Sequence, residues 1–225
     1  DGIRDPLWSR GLGDVYKRQV QKPLTHNIRE ARMLTEMARE NKIVTQMGNQ
    51  GASNSGMTKV QEWFNDGKIG SGDEVFVWTN RPVWPQGIPV PKPTGSSSPD
   101  HLDWDLWLGT APSIPYSDAY HPFNWRGWWV YGTGALGDMG CHIIDVPFKT
   151  LGLHYPTAVE CSVGQVFINM WDPEYIPEGC PPSSSVTLDF SATEKNNSPL
   201  KMRWLDGGLR PPHPDFCLLY TSPSP

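Results

Sequence analysis

The spacing of apolar positions predicts a strand, a helix, a strand and a second helix between residues 20 and 65. Residues 20–23 look like the end of a strand, and Asn27 and Glu30 form a capping box that opens the first helix. Residues 43–47 form a short apolar strand, and the second helix runs from about residue 55 to 65. This alternation implies parallel strands joined by right-handed crossovers.

The pattern changes after Gly72. Residues 74–79 alternate like a half-buried strand, and the proline-rich segment 81–99 that follows is incompatible with a helix. Later strand candidates, rich in β-branched and aromatic residues, are 158–167, 186–190 and 201–205. Because no long helix separates them, they predict a largely antiparallel sheet. We therefore expect a domain boundary between residues 72 and 73.

The two ends of the chain are expected to be one DNA sequence translated from opposite strands. GGAGATGTGTATAAGAGACAG encodes residues 13–19, and its reverse complement, shifted by one base, encodes Cys-Leu-Leu-Tyr-Thr-Ser, the sequence that begins at Cys217. Such a pair resembles a sequencing-library adaptor. We expect residues 1–19 and 217–225 to be adaptor artefacts and exclude both from fold reasoning.

Charge and hydropathy exclude two classes of partner. Without the two adaptor segments, the net charge of −5 becomes about −6, from 15 basic and 21 acidic residues. That balance gives no basic footprint for nucleic acid, and no apolar run approaches the roughly 20 residues that span a bilayer. We expect neither nucleic acid nor membrane as a partner, and leave open whether the protein is cytoplasmic or exported.

The cysteines give no metal or disulfide signal. Cys141, Cys161 and Cys180 form no Cys-x-x-Cys pair, and no histidine lies at metal-ligand spacing from them. We therefore expect no metal site.

The strongest chemical signal is a segment that begins at Gly132. It places Asp138, His142 and Asp145 at i, i+4 and i+7, on one face of a helix. A carboxylate that orients an imidazole gives a general base able to take a proton from an alcohol near neutral pH. His142 could alternatively be a hydrogen-bonded core histidine. Asp145 has three open interpretations: a second orienting group, a substrate ligand or a partner of the helix dipole.

The same segment also matches a dinucleotide fingerprint at Gly132, Gly134 and Gly137. We reject that interpretation because Asp138 would place a negative charge where the pyrophosphate should sit. Pro147 also interrupts what should be an unbroken helix.

Tryptophan is abundant, with 11 in the chain, and a cluster precedes the helix of His142. The cluster consists of Trp104, Trp107, Trp125, Trp128 and Trp129. Sugar rings stack on such faces, although core packing accounts for at least half of these residues. Asp103 and Arg126 lie among them and are candidates to hydrogen-bond hydroxyls or to contact a cofactor.

Five segments together resemble the Gfo/Idh/MocA oxidoreductases, which include glucose-fructose oxidoreductase and inositol dehydrogenase. They are Gln-Lys-Pro-Leu-Thr-His from 21, Met-Gly-Asn-Gln-Gly from 47, Leu-Asp-Trp-Asp-Leu-Trp-Leu-Gly from 102, Asn-Trp-Arg-Gly-Trp-Trp from 124 and Gly-Asp-Met-Gly-Cys-His-Ile-Ile-Asp from 137. The resemblance implies a Rossmann domain that holds NAD or NADP, followed by an open-faced sheet domain with the substrate pocket and a subunit interface. The expected fold is thus an α/β Rossmann remnant over 20–72 and a mostly antiparallel α+β sheet domain over 73–216, truncated at both ends. A homo-oligomer through the sheet face is implied as well.

The resemblance also assigns roles to single residues. Lys22, Asp138 and His142 match the family's catalytic constellation, although Gln21 stands where the family usually has Glu. His142 would accept the hydroxyl proton, Asp138 would hold the imidazole, and Lys22 would donate a hydrogen bond to the substrate oxygen. Cofactor contacts are expected from Lys22, Pro23, Gln50 and Arg126, and substrate contacts from Asp103, Trp125 and Asp145.

The implied function is NAD(P)-dependent removal of hydride from a secondary alcohol of a sugar or cyclitol. Three alternatives stay open: a glycoside hydrolase of the same fold that oxidises its substrate transiently, a non-catalytic carbohydrate-binding protein and a structural subunit. The glycine-rich phosphate loop should lie roughly one hundred residues before Lys22, judging from the size of such a domain. We therefore expect the 225-residue chain neither to bind dinucleotide tightly nor to turn over. The particular sugar and the choice between NAD and NADP are left open.

Overall fold

The computed structural model of the chain describes residues 20–49, 51–93, 95 and 97–213. The expected adaptor segments and the cofactor candidate Gln50 lie outside the described residues. Two compact units are present, one ending at Asn54 and the other beginning at Ser55. This division comes earlier in the chain than the domain boundary predicted at residues 72 and 73.

The first unit contains a strand, a helix and a strand: β1 (Val20–Gln21), α1 (Ile28–Glu40) and β2 (Met47–Gly48). β1 and β2 pair in parallel, with Val20 opposite Met47, as the alternating pattern predicted. The strand predicted over 43–47 is wrong in its extent, because β2 begins at Met47 and residues 43–46 lie outside any strand.

The predicted capping box opens α1. The Asn27 side chain accepts a hydrogen bond from the Glu30 backbone N–H at 3.0 Å, and the Glu30 carboxylate accepts one from the His26 backbone N–H at 2.8 Å. The hydrogen bond from the His26 backbone lowers the pKa of the Glu30 carboxyl below its ordinary value. The side-chain oxygens thus satisfy backbone donors that the first turn leaves without intrahelical partners.

The second unit begins with α2 (Ser55–Asn65), which has the predicted bounds. Gly67 has a φ of 71° and ends the helix; its N–H donates to Phe64 C=O, and the Lys68 N–H donates to Trp63 C=O. This pattern is a Schellman motif, which requires a left-handed residue just past the helix. α2 belongs to the second unit because Phe64 packs against the core of the sheet.

A four-stranded mixed sheet forms the centre of the second unit. Its strands are β3 (Glu74–Trp78), β4 (Ala158–Val163), β7 (Ser184–Phe190) and β8 (Leu200–Leu205). They lie in the order β3, β8, β7, β4. β3 runs parallel to β8, whereas β8 with β7 and β7 with β4 are antiparallel. The predicted fold class, an open and mostly antiparallel sheet, is confirmed.

The single strand predicted over 158–167 is wrong. The chain leaves the sheet at Gly164, whose N–H donates to Ser183 C=O, and continues as β5 (Val166–Asn169), which pairs with β6 (Asp172–Glu174) in a separate hairpin. The helices between β3 and β4 are α3 (Trp104–Leu108), α4 (Gly134–Ile143) and α5 (Asp145–Thr150), with a 3₁₀ helix at Asn124–Gly127.

One face of the sheet carries the hydrophobic core, in which Met202 and Trp204 are fully buried. α4 covers this face through Met139 and Ile143. A buried carboxylate, Asp206, joins the ends of β7 and β8: it accepts hydrogen bonds from the Ser184 backbone N–H, from Ser184 Oγ at 2.7 Å and from Trp204 Nε1 at 2.8 Å. The backbone and side chain of Ser184 and the indole of Trp204 therefore share one acceptor side chain.

The opposite face of the sheet is open and polar. Arg203 Nε donates to Glu74 at 2.8 Å, and the Arg203 guanidinium lies 5.9 Å from the centre of the Phe76 ring. Lys201 and Asp189 form a second ion pair at 3.3 Å. The predicted homo-oligomer through this face stays a prediction.

Within the described part of the chain, no helix combines the length and apolar character needed to cross a membrane.

Candidate functional site

The glycines before α4 are explained by close packing. A Cβ at position 132 would lie 2.5 Å from the Cα of Arg126. Gly134 has a φ of 60°, which a residue with a side chain rarely adopts, and a Cβ there would lie 2.9 Å from Cys180 Cβ. A Cβ at Gly137 would overlap the Thr133 side chain. Packing thus accounts for all three glycines without a bound pyrophosphate.

The predicted single helix through Asp138, His142 and Asp145 is wrong at its end. α4 stops at Ile143, and Asp145 is the first residue of α5. Pro147 explains the interruption at Ile144, because proline has no N–H to donate to the carbonyl of Ile143 four residues earlier. Asp138 and His142 remain one helical turn apart on α4, whereas Asp145 accepts a hydrogen bond from Lys149 at 3.0 Å. This contact is an i,i+4 ion pair on α5 and supports the helix-dipole interpretation of Asp145.

The carboxylate of Asp138 forms an ion pair with Arg126. Arg126 Nε donates to Asp138 Oδ1 at 3.0 Å, and the side chains of both residues are 24% exposed. Arg126 Nη1 also donates to the Phe123 carbonyl at 2.9 Å. The cofactor candidate Arg126 and the catalytic candidate Asp138 are therefore in direct contact.

Three aromatic rings surround the guanidinium of Arg126. Its central carbon lies 4.5 Å from the centre of the Trp125 ring, 4.6 Å from that of Phe123 and 5.7 Å from that of Trp84. Trp84 in turn donates its indole N–H to Gln86 at 2.8 Å. Cation–π contacts of this kind stabilise a guanidinium and restrict its orientation.

His142 is half-buried on α4 and follows Asp138 by four residues. Side chains at this separation are neighbours on a helix surface, with Cβ atoms about 5–6 Å apart. The two residues are thus neighbours on α4, and their catalytic role stays a prediction.

Three tryptophans of the cluster pack against other aromatic rings. The rings of Trp104 and Trp107, both half-buried, stack at 4.6 Å, and Trp107 meets Tyr131 edge to face at 5.3 Å. Trp128 is 1% exposed and contacts Tyr120 at 5.1 Å. Aromatic packing thus explains these three tryptophans, whereas Trp125, the tryptophan expected to contact substrate, lies beside Arg126.

Two nearby groups are protonated at neutral pH, and burial raises the pKa of each further. Desolvation raises the pKa of the Tyr131 hydroxyl to about 12, with a further contribution from Tyr120. Burial likewise raises the pKa of the Cys180 thiol to about 12. Both groups stay protonated near neutral pH, so neither competes with His142 as a base there.

The remaining candidates lie elsewhere. Asp103 is the N-cap of α3, where its side chain accepts a hydrogen bond from the Leu106 N–H at 3.0 Å. Its substrate contact stays a prediction. Lys22 and Pro23 follow β1 in the first unit, where Lys22 is half-buried and Pro23 is exposed. Arg126, Asp138, His142 and Trp125 all lie in the second unit.

An apolar groove of about 610 Å³ lies among α2, α5 and β3. Glu74 is the one carboxylate in its lining, and it is already paired with Arg203. The groove therefore lacks a group suited to proton transfer at neutral pH, and we place the candidate site at Arg126, Asp138 and His142.

The aromatic surroundings of Arg126 were not predicted. Trp84 carries no local spacing signal that links it to Arg126, because it lies in the proline-rich segment, which precedes α3 in the chain. The cue for Phe123 was its position three residues before Arg126, at the entry to the 3₁₀ helix.

Comparisons with known proteins identify the fold that holds this site. Residues 83–165 match the family model of the oxidoreductase family C-terminal α/β domain, GFO_IDH_MocA_C2. Comparison of the sequence with curated proteins gave no match. A similar solved structure is the super-repressor mutant of Gal80p from Saccharomyces cerevisiae, with 13% identity, a TM-score of 0.45, and coverage of 85% of this chain and 42% of that chain. The present chain thus spans less than half of that protein. Residues 83–165, which contain Arg126, Asp138 and His142, are thus similar to the C-terminal domain of the Gfo/Idh/MocA oxidoreductases.

Proposed function

We propose that the protein is an NAD(P)-dependent oxidoreductase that removes hydride from a carbon bearing a secondary alcohol of a sugar or cyclitol. The observation that carries the proposal is the placement of Asp138 and His142 one turn apart on α4, within the family's C-terminal domain. A half-buried imidazole one turn from a carboxylate suits removal of a hydroxyl proton near neutral pH.

The first unit has a topology that fits a nicotinamide cofactor. β1 and β2 are adjacent parallel strands, and Lys22 and Asn49 directly follow their carboxyl ends. Ligands of open α/β sheets bind outside such carboxyl ends. Lys22 and Pro23 are the described residues that would hold the cofactor. When bound, the nicotinamide ring supplies the acceptor for the hydride.

The protein's own residues would handle the proton and the charge. His142 accepts the hydroxyl proton of the substrate, and Asp138 stabilises the imidazolium that results. Lys22, which follows β1 in the first unit, would donate a hydrogen bond that stabilises developing negative charge on a bound ligand. The ring of Trp125 offers an apolar face to the carbon side of a sugar.

A second candidate function is carbohydrate binding without chemistry. It is favoured by one observation, that Asp138 already engages Arg126 through a hydrogen bond of 3.0 Å. A carboxylate held in that ion pair fits a binding surface as well as a catalytic site.

The test is a hydride-transfer assay on the full-length gene product that contains residues 20–213. NAD or NADP is supplied with a panel of sugars and cyclitols, and reduced cofactor is followed by its absorbance. We expect reduction with at least one polyol and a loss of about 10²-fold or more in kcat for His142→Ala, the usual contribution of a general base. Lys149→Gln, which removes a charge from the neighbouring helix, serves as the matched control.

Other outcomes identify the alternatives. Release of an aglycone without net reduced cofactor would assign the protein to the glycoside hydrolases of this fold. Sugar binding that survives His142→Ala, with no reduction of cofactor under any condition, would overturn the oxidoreductase proposal in favour of carbohydrate binding.

A further inference from the structure

We infer that Arg126 is a positioning residue, which fixes the carboxylate of Asp138 so that one oxygen remains for His142. The inference rests on the proposed function, because it gives Arg126 a task within the same proton-transfer site. It differs from the cofactor contact expected from the sequence, since it assigns the guanidinium to a side chain of this chain.

The guanidinium is held from several directions. The rings of Trp125, Phe123 and Trp84 lie within 5.7 Å of its central carbon. Nη1 is fixed by its bond to the Phe123 carbonyl. The backbone of Arg126 is in turn packed against Gly132, where a Cβ would not fit. A planar group with these contacts has little rotational freedom, so the atom that it binds is also held in place.

The ion pair uses one carboxylate oxygen. Nε binds Oδ1 of Asp138, and among the residues that the structure describes no bond to Oδ2 accompanies it. A hydrogen bond at Oδ1 restricts the orientation of the carboxylate, because the donor prefers to lie near the carboxylate plane. Oδ2 is therefore the oxygen left for an imidazole N–H one turn further along α4.

A second ion pair, between Asp145 and Lys149, shows how the Arg126–Asp138 pair differs from an ordinary surface ion pair. Asp145 and Lys149 on α5 are also 3.0 Å apart, but the Lys149 side chain is 47% exposed and its ammonium can rotate. Exposed pairs of that kind contribute little to stability. The Arg126 side chain is half as exposed and planar. The two pairs therefore have equal length but differ in how firmly the carboxylate is oriented.

The experiment measures the ring N–H of His142 in the chain itself by NMR. An imidazole N–H that donates to a fixed carboxylate gives a downfield signal that exchanges slowly with water. We expect this signal in the unmodified chain, and about tenfold faster exchange in Arg126→Gln and in Asp138→Asn, the effect of losing one charge-assisted hydrogen bond. Lys149→Gln should leave the exchange rate unchanged.

Arg126→Lys separates charge from geometry. It keeps the positive charge but lacks the planar fork, so we expect exchange close to that of Arg126→Gln. Circular dichroism of each variant verifies that it is folded before the rates are compared. An unchanged exchange rate in Arg126→Gln, or an equal increase of the rate in Arg126→Gln and Lys149→Gln, would overturn the inference. Neither result depends on turnover, so failure of this inference is distinguishable from failure of the proposed oxidoreductase.

Discussion

Gly132 lies against the backbone of Arg126 so closely that a Cβ on Gly132 would come within 2.5 Å of Arg126 Cα. The two residues are linked through the turn that precedes α4, because the Gly132 N–H donates to the carbonyl of Trp128 at 2.8 Å. The position of the Arg126 side chain thus depends on the absence of a side chain six residues later.

Gly132→Ala is therefore expected to displace Arg126. We expect a loss of about 1–3 kcal/mol in the free energy of unfolding, the usual cost of forcing atoms into a packed site, measured by urea denaturation. Gly70→Ala is the matched control, because nothing lies within 4 Å of the Cβ that it would add. Equal stability of the two variants would contradict the close packing at Gly132.

Asp206 is expected to be important for the stability of the sheet. Asp206→Ala removes the acceptor of three hydrogen bonds in a site where Asp206 is 2% exposed. We expect a loss of about 2–5 kcal/mol, because buried donors would be left without partners. Asp189→Ala removes a half-exposed partner of Lys201 and should cost less than about 1 kcal/mol. A loss of less than about 1 kcal/mol for Asp206→Ala as well would show that water replaces the carboxylate as the hydrogen-bond acceptor.

Stability should fall at alkaline pH. Burial raises the pKa of the Cys180 thiol from 9.0 to about 12, so the folded state retains a proton that the unfolded state releases. The stabilisation is complete below pH 9 and is lost as the pH rises toward 12. Tyr131, with a pKa of about 12 against an ordinary value of 10.0, adds to the same loss above pH 10.

The variant Cys180→Ala separates the two contributions. In this variant, stability should decline less between pH 9 and 10. Stability is measured as the midpoint of urea denaturation at several pH values. Cys141→Ala, which removes an exposed thiol, should leave the decline as it is. An equally steep decline in Cys180→Ala would assign the alkaline loss to other groups.

Self-association through the open face of the sheet is expected to respond to Arg203. Arg203→Glu would place a second negative charge beside Glu74, the present partner of Arg203 at 2.8 Å. If copies of the chain meet through this face, the charge reversal should weaken the oligomer measurably in analytical ultracentrifugation. Arg39→Glu, on exposed α1, is the control. Sedimentation of Arg203→Glu identical to that of the unmodified protein would exclude this face as the interface.

The sequence predicted those elements whose signals are local. The bounds of α2 followed from its apolar period and from Gly67, whose left-handed conformation ends the helix. β3, β7 and β8 were predicted within two residues of their observed ends because β-branched or aromatic residues occur in each of them.

Interactions between distant segments were not predictable in the same way. Arg126 and Asp138 are twelve residues apart and lie on different elements, so no helical or strand period relates them. The burial of Asp206 against Trp204 and Ser184 likewise depends on how β7 pairs with β8. Pro147 in the sequence indicates that the helix is interrupted near Ile144. That Asp145 then begins a separate helix, α5, became apparent only from the structure.

The aromatic residues around Trp128 have a consequence for spectroscopy. The rings of Trp104, Trp107, Tyr131, Tyr120 and Trp128 follow one another with centroids no more than 5.3 Å apart. At such separations, energy absorbed by Tyr131 or Tyr120 passes to a neighbouring tryptophan, whose excited state lies lower, before it is emitted. Part of the light emitted by Trp107 and Trp128 therefore derives from energy absorbed by the two tyrosines between them, and tyrosine emission from this row is quenched.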